Sequence, residues 1–292
     1  MLPTTIAQRL SRIDNIATLP HVATEILSMI RNSNTSMRQI ARVIEQDPSI
    51  TAKLLKIANS PFWGFPGRVD NLQRALVLLG LKQVSNIVIG VSLYTTFVKL
   101  APNPEFDREK FWLHSIGTSQ IARNLAKQIG LNFHGEEFVA SILHDIGKII
   151  LDQFFADVFT EILKKAHMND DSVITWEQKM LGCTHADIGA WLLSHWNFPP
   201  SIAAAVHFHH YPERAPTYKD LVSVVRLSDI FCEMWGIGFD DDIKTFSPSD
   251  DAAWRILKQH TRALNDLDFE RFLFQIDKEM DKARMFIEIA KS

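Results

Sequence analysis

The chain has 292 residues, 46% of them hydrophobic and 22% charged, which is enough apolar mass for one large domain or two ordinary ones. A formal net charge of −3 and an isoelectric point of about 6.4 leave no basic surplus, so neither nucleic acid nor an anionic membrane is an expected partner. The two cysteines, Cys183 and Cys232, stand in no metal-type spacing, as in a cytoplasmic protein without structural disulfides.

The opening MLPTTIAQRL lacks the basic and apolar regions of a secretory signal. In HVATEILSMIR, residues 21–31, Val22, Ile26, Leu27 and Ile30 recur at spacings of three and four and predict an amphipathic helix. Ser36 and Gln39 are placed as a capping box for the next helix. Asp47-Pro48 supplies an N-cap and an N1 proline ahead of SITAKLLKIAN. SPFWGFPGRV reads as a loop, whose run Pro61-Phe62-Trp63-Gly64-Phe65 serves either as a partner-binding patch or as packing between two lobes.

The longest apolar stretch, NIVIGVSLYTTFV at 86–98, carries several polar residues and falls short of the roughly 20 residues that span a bilayer. It is expected to be a core helix. APNPEFD, residues 101–107, places two prolines between helical segments and marks the clearest break. The organisation expected is a helical lobe over 1–100, a linker over 101–107 and a second helical domain over 108–292. Beyond the break, helices are predicted near 107–129, 136–155, 158–167, 173–181, 185–196, 200–210, 218–235, 249–260 and 268–290. The run Phe239-Asp240-Asp241-Asp242 is expected to be a solvated loop. The last predicted helix sets Phe269, Phe272, Leu273, Ile276, Met280, Ala283 and Ile287 near one face, either to pack on the second lobe or to form a homodimer. Period-2 alternation and hairpin turn signals are absent, so the fold class is all-α.

Histidine and aspartate fall unevenly along the chain. His114, His144 with Asp145, His185, His209 with His210, and Asp229 all lie in segments that are otherwise apolar or amphipathic. Imidazole and carboxylate are common ligands of borderline divalent metals such as iron, manganese or zinc. Seven such groups exceed one tetrahedral ion and suit two ions sharing a bridging carboxylate, with iron or manganese expected. In SILHDIGKII, Lys148 lies four residues after His144 and three after Asp145, so the three overlap on one helix face. Gly147 puts no side chain beside them and allows close approach. Asp187 either orients the His185 imidazole or caps the helix that follows Thr184. His21, His134, His167 and His260 are read as hydrogen-bonded core residues, His207 likewise rather than as a supporting or spare ligand, and His195 as an answer to its helix's negative pole.

The order H…HD…H…HH…D around HDIGK resembles the HD superfamily of helical metal-dependent phosphohydrolases, and its HD-GYP branch in ligand set. LPHVATEIL, IEQDPSITAKLLKIANSPFWG, ALVLLGLKQVSNIVI, HSIGTSQIA, GCTHADIGAWLLSHWNFPPSIAAAVHFHH and RLSDIFCE resemble, in sequence and order, the HDOD family of bacterial signalling proteins. That resemblance runs from about residue 14 to 236. It implies one ion on His114, His144, Asp145 and Asp229, with Asp145 bridging to a second ion on His185, His209 and His210. It implies that Lys148 donates to a substrate phosphate oxygen or to a bridging water, so Lys148 and Asp145 are the candidate catalytic residues.

The chain also departs from HD-GYP enzymes. YPERAP follows His210 where they carry a glycine-rich segment, which argues against cyclic di-GMP hydrolysis. Lys110 stands where three-metal relatives place a glutamate, so no third ion is expected. HDOD proteins as a family are regarded as non-catalytic. The resemblance therefore implies contacts with signalling proteins, while the intact ligand series implies a phosphoester or nucleotide ligand.

Overall fold

The computed structural model describes residues 2–11, 21–30, 35–60, 67–97, 103–238, 250–264 and 266–291. The side chains of Leu27, Ile30 and Phe269, the aromatic run at 61–65 and the acidic run at 239–242 lie outside the described residues. The fold is all-α, and the one β-type pairing among the described residues is an isolated bridge between Asn103 and Phe106.

Local chemistry sets most helix starts. In the first hundred residues the helices are α1 (Thr4–Ser11), α2 (His21–Ile30), α3 (Met37–Glu45), α4 (Pro48–Ala58), α5 (Leu72–Leu79) and α6 (Leu81–Phe97). The Ser36 hydroxyl accepts from the Gln39 N–H while the Gln39 side chain accepts from the Ser36 N–H, which is the expected capping box. Asp47 Oδ1 accepts from the N–H groups of Ser49 and Ile50 with Pro48 at the first helical position. Val22 and Ile26 of α2, Ile40 and Ile44 of α3, and Leu54 and Ile57 of α4 are buried. They surround α6, which is buried without interruption from Val84 to Tyr94. A helix apolar on every side belongs in a core. Among the described residues no single helix is long and apolar enough to cross a membrane.

The remaining helices are α7 (Arg108–Gln128), α8 (Glu136–Leu143), α9 (Ile146–Phe154), α10 (Ala156–Asn169), α11 (Val173–Leu181), α12 (His185–His195), α13 (Pro200–Phe208), α14 (Lys219–Met234), α15 (Ala252–His260) and α16 (Phe269–Lys291). Helix α7 is the axis here, packed by α8, α14 and α16. One apolar cluster runs from Ile6 to Ala290 through both halves of the chain, and a second joins α7, α14, α15 and α16. The stripe Phe272, Ile276, Met280, Ala283 and Ile287 of α16 is buried within the chain. It packs on α7 and also on α4 and α6. Segment 103–107 is fixed by a buried ion pair: Arg108 donates to Asp152, whose other oxygen accepts from Asn103 at 2.8 Å.

Three features differ from the sequence reading. The helix expected over 136–155 is two helices, and His144-Asp145 forms the turn between them. Helix α1 was not anticipated; its eight residues are too few for a periodic signal, yet Ile6 and Leu10 are buried and Arg9 donates to the Phe154 carbonyl at 2.8 Å. His21, His134, His167 and His260 are exposed rather than core residues. Each sits at or beside a helix end, where the chain emerges from the core.

Candidate metal centre

Five helix termini or faces, one of them on α7, converge. His114 comes from the middle of α7 and Asp229 from the inner face of α14. His144 and Asp145 come from the α8–α9 turn, His185 from the first position of α12, and His209 and His210 from the end of α13. His144 and His209 each close the helix before them, and His144 Nδ1 and His209 Nδ1 each lie 2.7 Å from the carbonyl three residues back, Ser141 and Val206. Breaking the helix at these points turns the rings inward, which an uninterrupted helix could not do for both members of an adjacent pair.

All seven side chains meet. His114, His144 and Asp229 offer ligand atoms within 4.8 Å of one another, and so do Asp145, His185, His209 and His210. Asp145 lies between the groups. Its Oδ1 is 3.1 Å from His185 Nε2 and 3.7 Å from His209 Nε2, while its Oδ2 is 3.4 Å from His144 Nε2 and 3.9 Å from His114 Nε2. Asp229 Oδ1 lies 3.1 Å from His114 Nε2 and 3.4 Å from His144 Nε2. Lys148 Nζ donates to Asp145 Oδ2 at 2.8 Å. Apart from half-buried His210, every one of these residues is buried.

The tautomers follow from the partners. His114 Nδ1 faces the Ile237 carbonyl at 2.7 Å, His144 and His209 face the carbonyls just named, and His185 Nδ1 lies 2.8 Å from Glu177 Oε2. Carbonyls and carboxylates only accept, so each Nδ1 carries a proton and each Nε2 faces inward. The Nε2 atoms of His114 and His144 are only 3.2 Å apart, and those of His210 and His185 are 3.0 Å apart. Asp145 Oδ1 and His209 Nε2 are buried with no hydrogen-bond partner among the described residues. Ring nitrogens that face one another and orphaned acceptors are unfavourable unless protons or metal cations lie between them. The residues present therefore fit divalent ions.

Protonation in the ion-free protein points the same way. Burial works to raise the Asp145 carboxyl, but His144, Lys148 and His185 hold it well below the usual carboxylate range. Burial is likewise overcome at Asp229, which His114 and His144 hold low. Against burial, the Glu177 and Asp145 carboxylates push His185 up to about 10, so a proton sits where an ion would otherwise bind. Burial and the neighbouring imidazoles press His209 and His210 well below the usual histidine value, which keeps their lone pairs available.

The supporting residues differ in part from expectation. Glu177, fully buried on α11, fixes the His185 ring through Nδ1 and also accepts its backbone N–H at 2.8 Å. Asp187 does not touch His185; it closes a capping box with Thr184 and contacts His207 Nε2 at 3.1 Å. Gly147 gives close approach, but to a helix rather than an ion: a Cβ there would lie 1.9 Å from the His185 carbonyl oxygen. His195 stacks on Trp191 at the end of α12. Neither a groove of about 1130 Å³ between α7 and α16 nor a hollow of about 460 Å³ beside Tyr218 and His260 is lined by any of the seven side chains.

The HDOD domain family model matches residues 16–212. The chain belongs to the HDOD family. A curated but uncharacterised protein of Treponema pallidum (strain Nichols) is 26% identical over 221 residues, 75% of this chain and 42% of that protein. The chain thus spans less than half the length of that curated relative. An HDOD domain protein of unknown function from Geobacter sulfurreducens has a similar fold, with a TM-score of 0.82, 22% identity, and coverage of 97% of this chain and 96% of that one. A protein from Shewanella amazonensis SB2B, provisionally named a phosphohydrolase, matches at a TM-score of 0.72 and 22% identity, with 96% and 98% covered. One from Marinobacter aquaeolei VT8, provisionally named a signal transduction protein, matches at 0.75 and 21%, with 98% and 65% covered.

Proposed function

We propose that this chain is a cytoplasmic HDOD-type signal-transduction module that carries two divalent ions and acts mainly through contacts with signalling proteins. His114, His144, Asp145 and Asp229 would hold one ion, and Asp145, His185, His209 and His210 the other. The donors are nitrogen and oxygen, a set suited to iron or manganese. The observation that carries this reading is the enclosure of the centre: seven of its eight side chains are buried, including Lys148, and neither described cavity reaches it. A working hydrolase needs a cleft at its reacting atoms. A centre this buried suits a structural or sensory role, in which ion loading sets the packing of α7, α9, α12 and α14.

One observation favours a second reading, a metal-dependent phosphohydrolase acting on a nucleotide or phosphoester. Lys148 is buried against Asp145 at 2.8 Å, among a complete ligand series. In that role its ammonium donates to a phosphate oxygen, Asp145 keeps both halves aligned, and the surrounding apolar helices exclude bulk water. When bound, the ions would supply Lewis-acid activation.

The test is to load the protein with iron or with manganese and assay phosphomonoesters, phosphodiesters and nucleotides beside an Asp145→Ala control. The module reading predicts no turnover with both ions in place. Turnover that vanishes in the control would establish the hydrolase instead.

A further inference from the structure

The groove of about 1130 Å³ between α7 and α16 lies apart from the metal centre and has a different chemistry. The two helices bury Ile121, Leu125, Phe272, Ile276 and Met280 in a shared apolar cluster. Beside that seam the walls turn polar: five carboxamides, four basic and four acidic side chains line the groove. Part of this lining is too deep to be an ordinary solvated surface. Gln120 and Glu279 are buried. Burial lowers the Arg123 guanidinium below its ordinary value although Glu137 and Glu279 oppose the shift, and burial raises the Glu137 carboxyl. Hydrogen bonds hold the lining in place. Gln128 Nε2 donates to Asn124 Oδ1 at 2.6 Å and to Gln275 Oε1 at 2.7 Å, while Asn124 Nδ2 donates to Glu279 Oε1 at 3.2 Å. Both Gln128 amide hydrogens are spent on these bonds, so what it offers a ligand is its oxygen. The Gln120 amide reaches the Ser119 hydroxyl only at 3.4 Å.

Gln120, Asn124 and Gln128 recur every four residues of α7, which sets them about 6 Å apart along the helix axis. An extended chain repeats its peptide groups on one side every second residue, about 6.6 Å apart. Over three carboxamides the two repeats diverge by only about 1 Å, a gap that side-chain torsions close. A carboxamide also carries the same kinds of donor and acceptor as a peptide group. The volume exceeds the roughly 300–1,000 Å³ of usual small-molecule sites, and equal numbers of basic and acidic side chains disfavour a ligand of one charge sign. From this geometry we propose that the groove seats an extended segment of a partner protein, with low net charge, whose main-chain peptide groups meet Gln120, Asn124 and Gln128. The fixed carboxamides bind backbone, and the charged rim selects among side chains of both signs.

This assignment rests on the contact-module reading above and gives it a docking site. The test selects a displayed library of random seven-residue peptides on the full chain, then titrates the recovered peptides by fluorescence anisotropy. Gln120→Met and Gln128→Met should each bind them about 5-fold more weakly, the scale of one neutral hydrogen bond. Methylating alternate peptide nitrogens should abolish binding in one register and spare it in the other. Lys127 is exposed at the rim, so Lys127→Glu keeps the core intact, and a repeat selection on it should recover a more basic set of peptides. Val77→Ser, on the exposed face of α5, should bind as wild type does. Failure to recover any peptide, equal affinity in the two carboxamide variants and wild type, or indifference to nitrogen methylation would overturn the proposal. The same peptide set from Lys127→Glu would overturn the role of the rim. Turnover in the phosphoester assays would remove the module reading, while the peptide titrations would still judge the groove.

Discussion

Gly147→Ala tests whether helix contact at the backbone builds the metal centre. Helices α9 and α12 meet through Gly147 and Gly189: a Cβ on Gly147 would stand 1.9 Å from the His185 carbonyl oxygen and 3.0 Å from the Gly189 nitrogen. A carbon–oxygen contact settles near about 3.3 Å, so the helices would have to part by roughly 1.4 Å. The opposing atoms are backbone, so no rotamer change can absorb the added methyl. A shift of that size takes His185 Nε2 away from Asp145 Oδ1, now 3.1 Å distant. Overpacking in a tight core costs about 1–3 kcal/mol, and a backbone clash belongs at or above the top of that range. Against a usual domain stability of about 5–15 kcal/mol, the variant should still fold. Urea unfolding should show a loss of about 3 kcal/mol, and elemental analysis should show the ion on His185, His209 and His210 lost while that on His114, His144 and Asp229 remains. A variant within about 0.5 kcal/mol of wild type that keeps both ions would refute the packing argument.

Glu177→Gln keeps the shape beside His185 but removes the charge that supports its Nδ1–H; chelator competition should show the second ion bound about 10–100-fold more weakly, and unchanged affinity would exclude that role. The hydrogen bond from His207, helped by the Thr184 N–H, lowers Asp187 to about 2 against the opposing effect of burial. A depressed folded pKa stabilises above the unfolded value of about 4, and that gain is lost as pH falls from there toward 2. Urea midpoints over that window should fall more steeply for wild type than for Asp187→Asn; parallel curves would refute the assignment. Arg108→Met strands the fully buried Asp152 carboxylate with Asn103 as its remaining side-chain donor among the described residues, and should lower unfolding stability by about 3–5 kcal/mol. A loss below about 1 kcal/mol would show that the pair does not hold the 103–107 segment.

Much of this architecture is legible in short stretches of sequence. Ser36 with Gln39 and Asp47 with Pro48 announce their helices because capping is local chemistry, and the structure makes the hydrogen bonds they imply. The seven histidine and aspartate side chains were recognisable because polar groups recur inside apolar helices, and the fold brings all seven together. The turn at His144-Asp145 was not legible. Neither His144 nor Asp145 is a glycine or proline, and the flanking apolar residues favour a continuous helix. Glu177 was missed because VITWEQKML reads as an ordinary amphipathic helix. The signal was nonetheless present, since Val173, Ile174 and Glu177 share one buried stripe and the third of them is a carboxylate. The exposed His21, His134, His167 and His260 show the converse: apolar neighbours in sequence do not bury a residue that sits at a helix end.

The claim beneath all of this is that inward-facing Nε2 lone pairs and two carboxylates are held together by cations. The direct measurement is elemental mass spectrometry on protein produced with iron or with manganese and passed through gel filtration, with the ions counted per chain. The account predicts two per chain in wild type and a clear loss in Asp145→Ala, whose carboxylate faces both halves. Fewer than one ion per wild-type chain would contradict it.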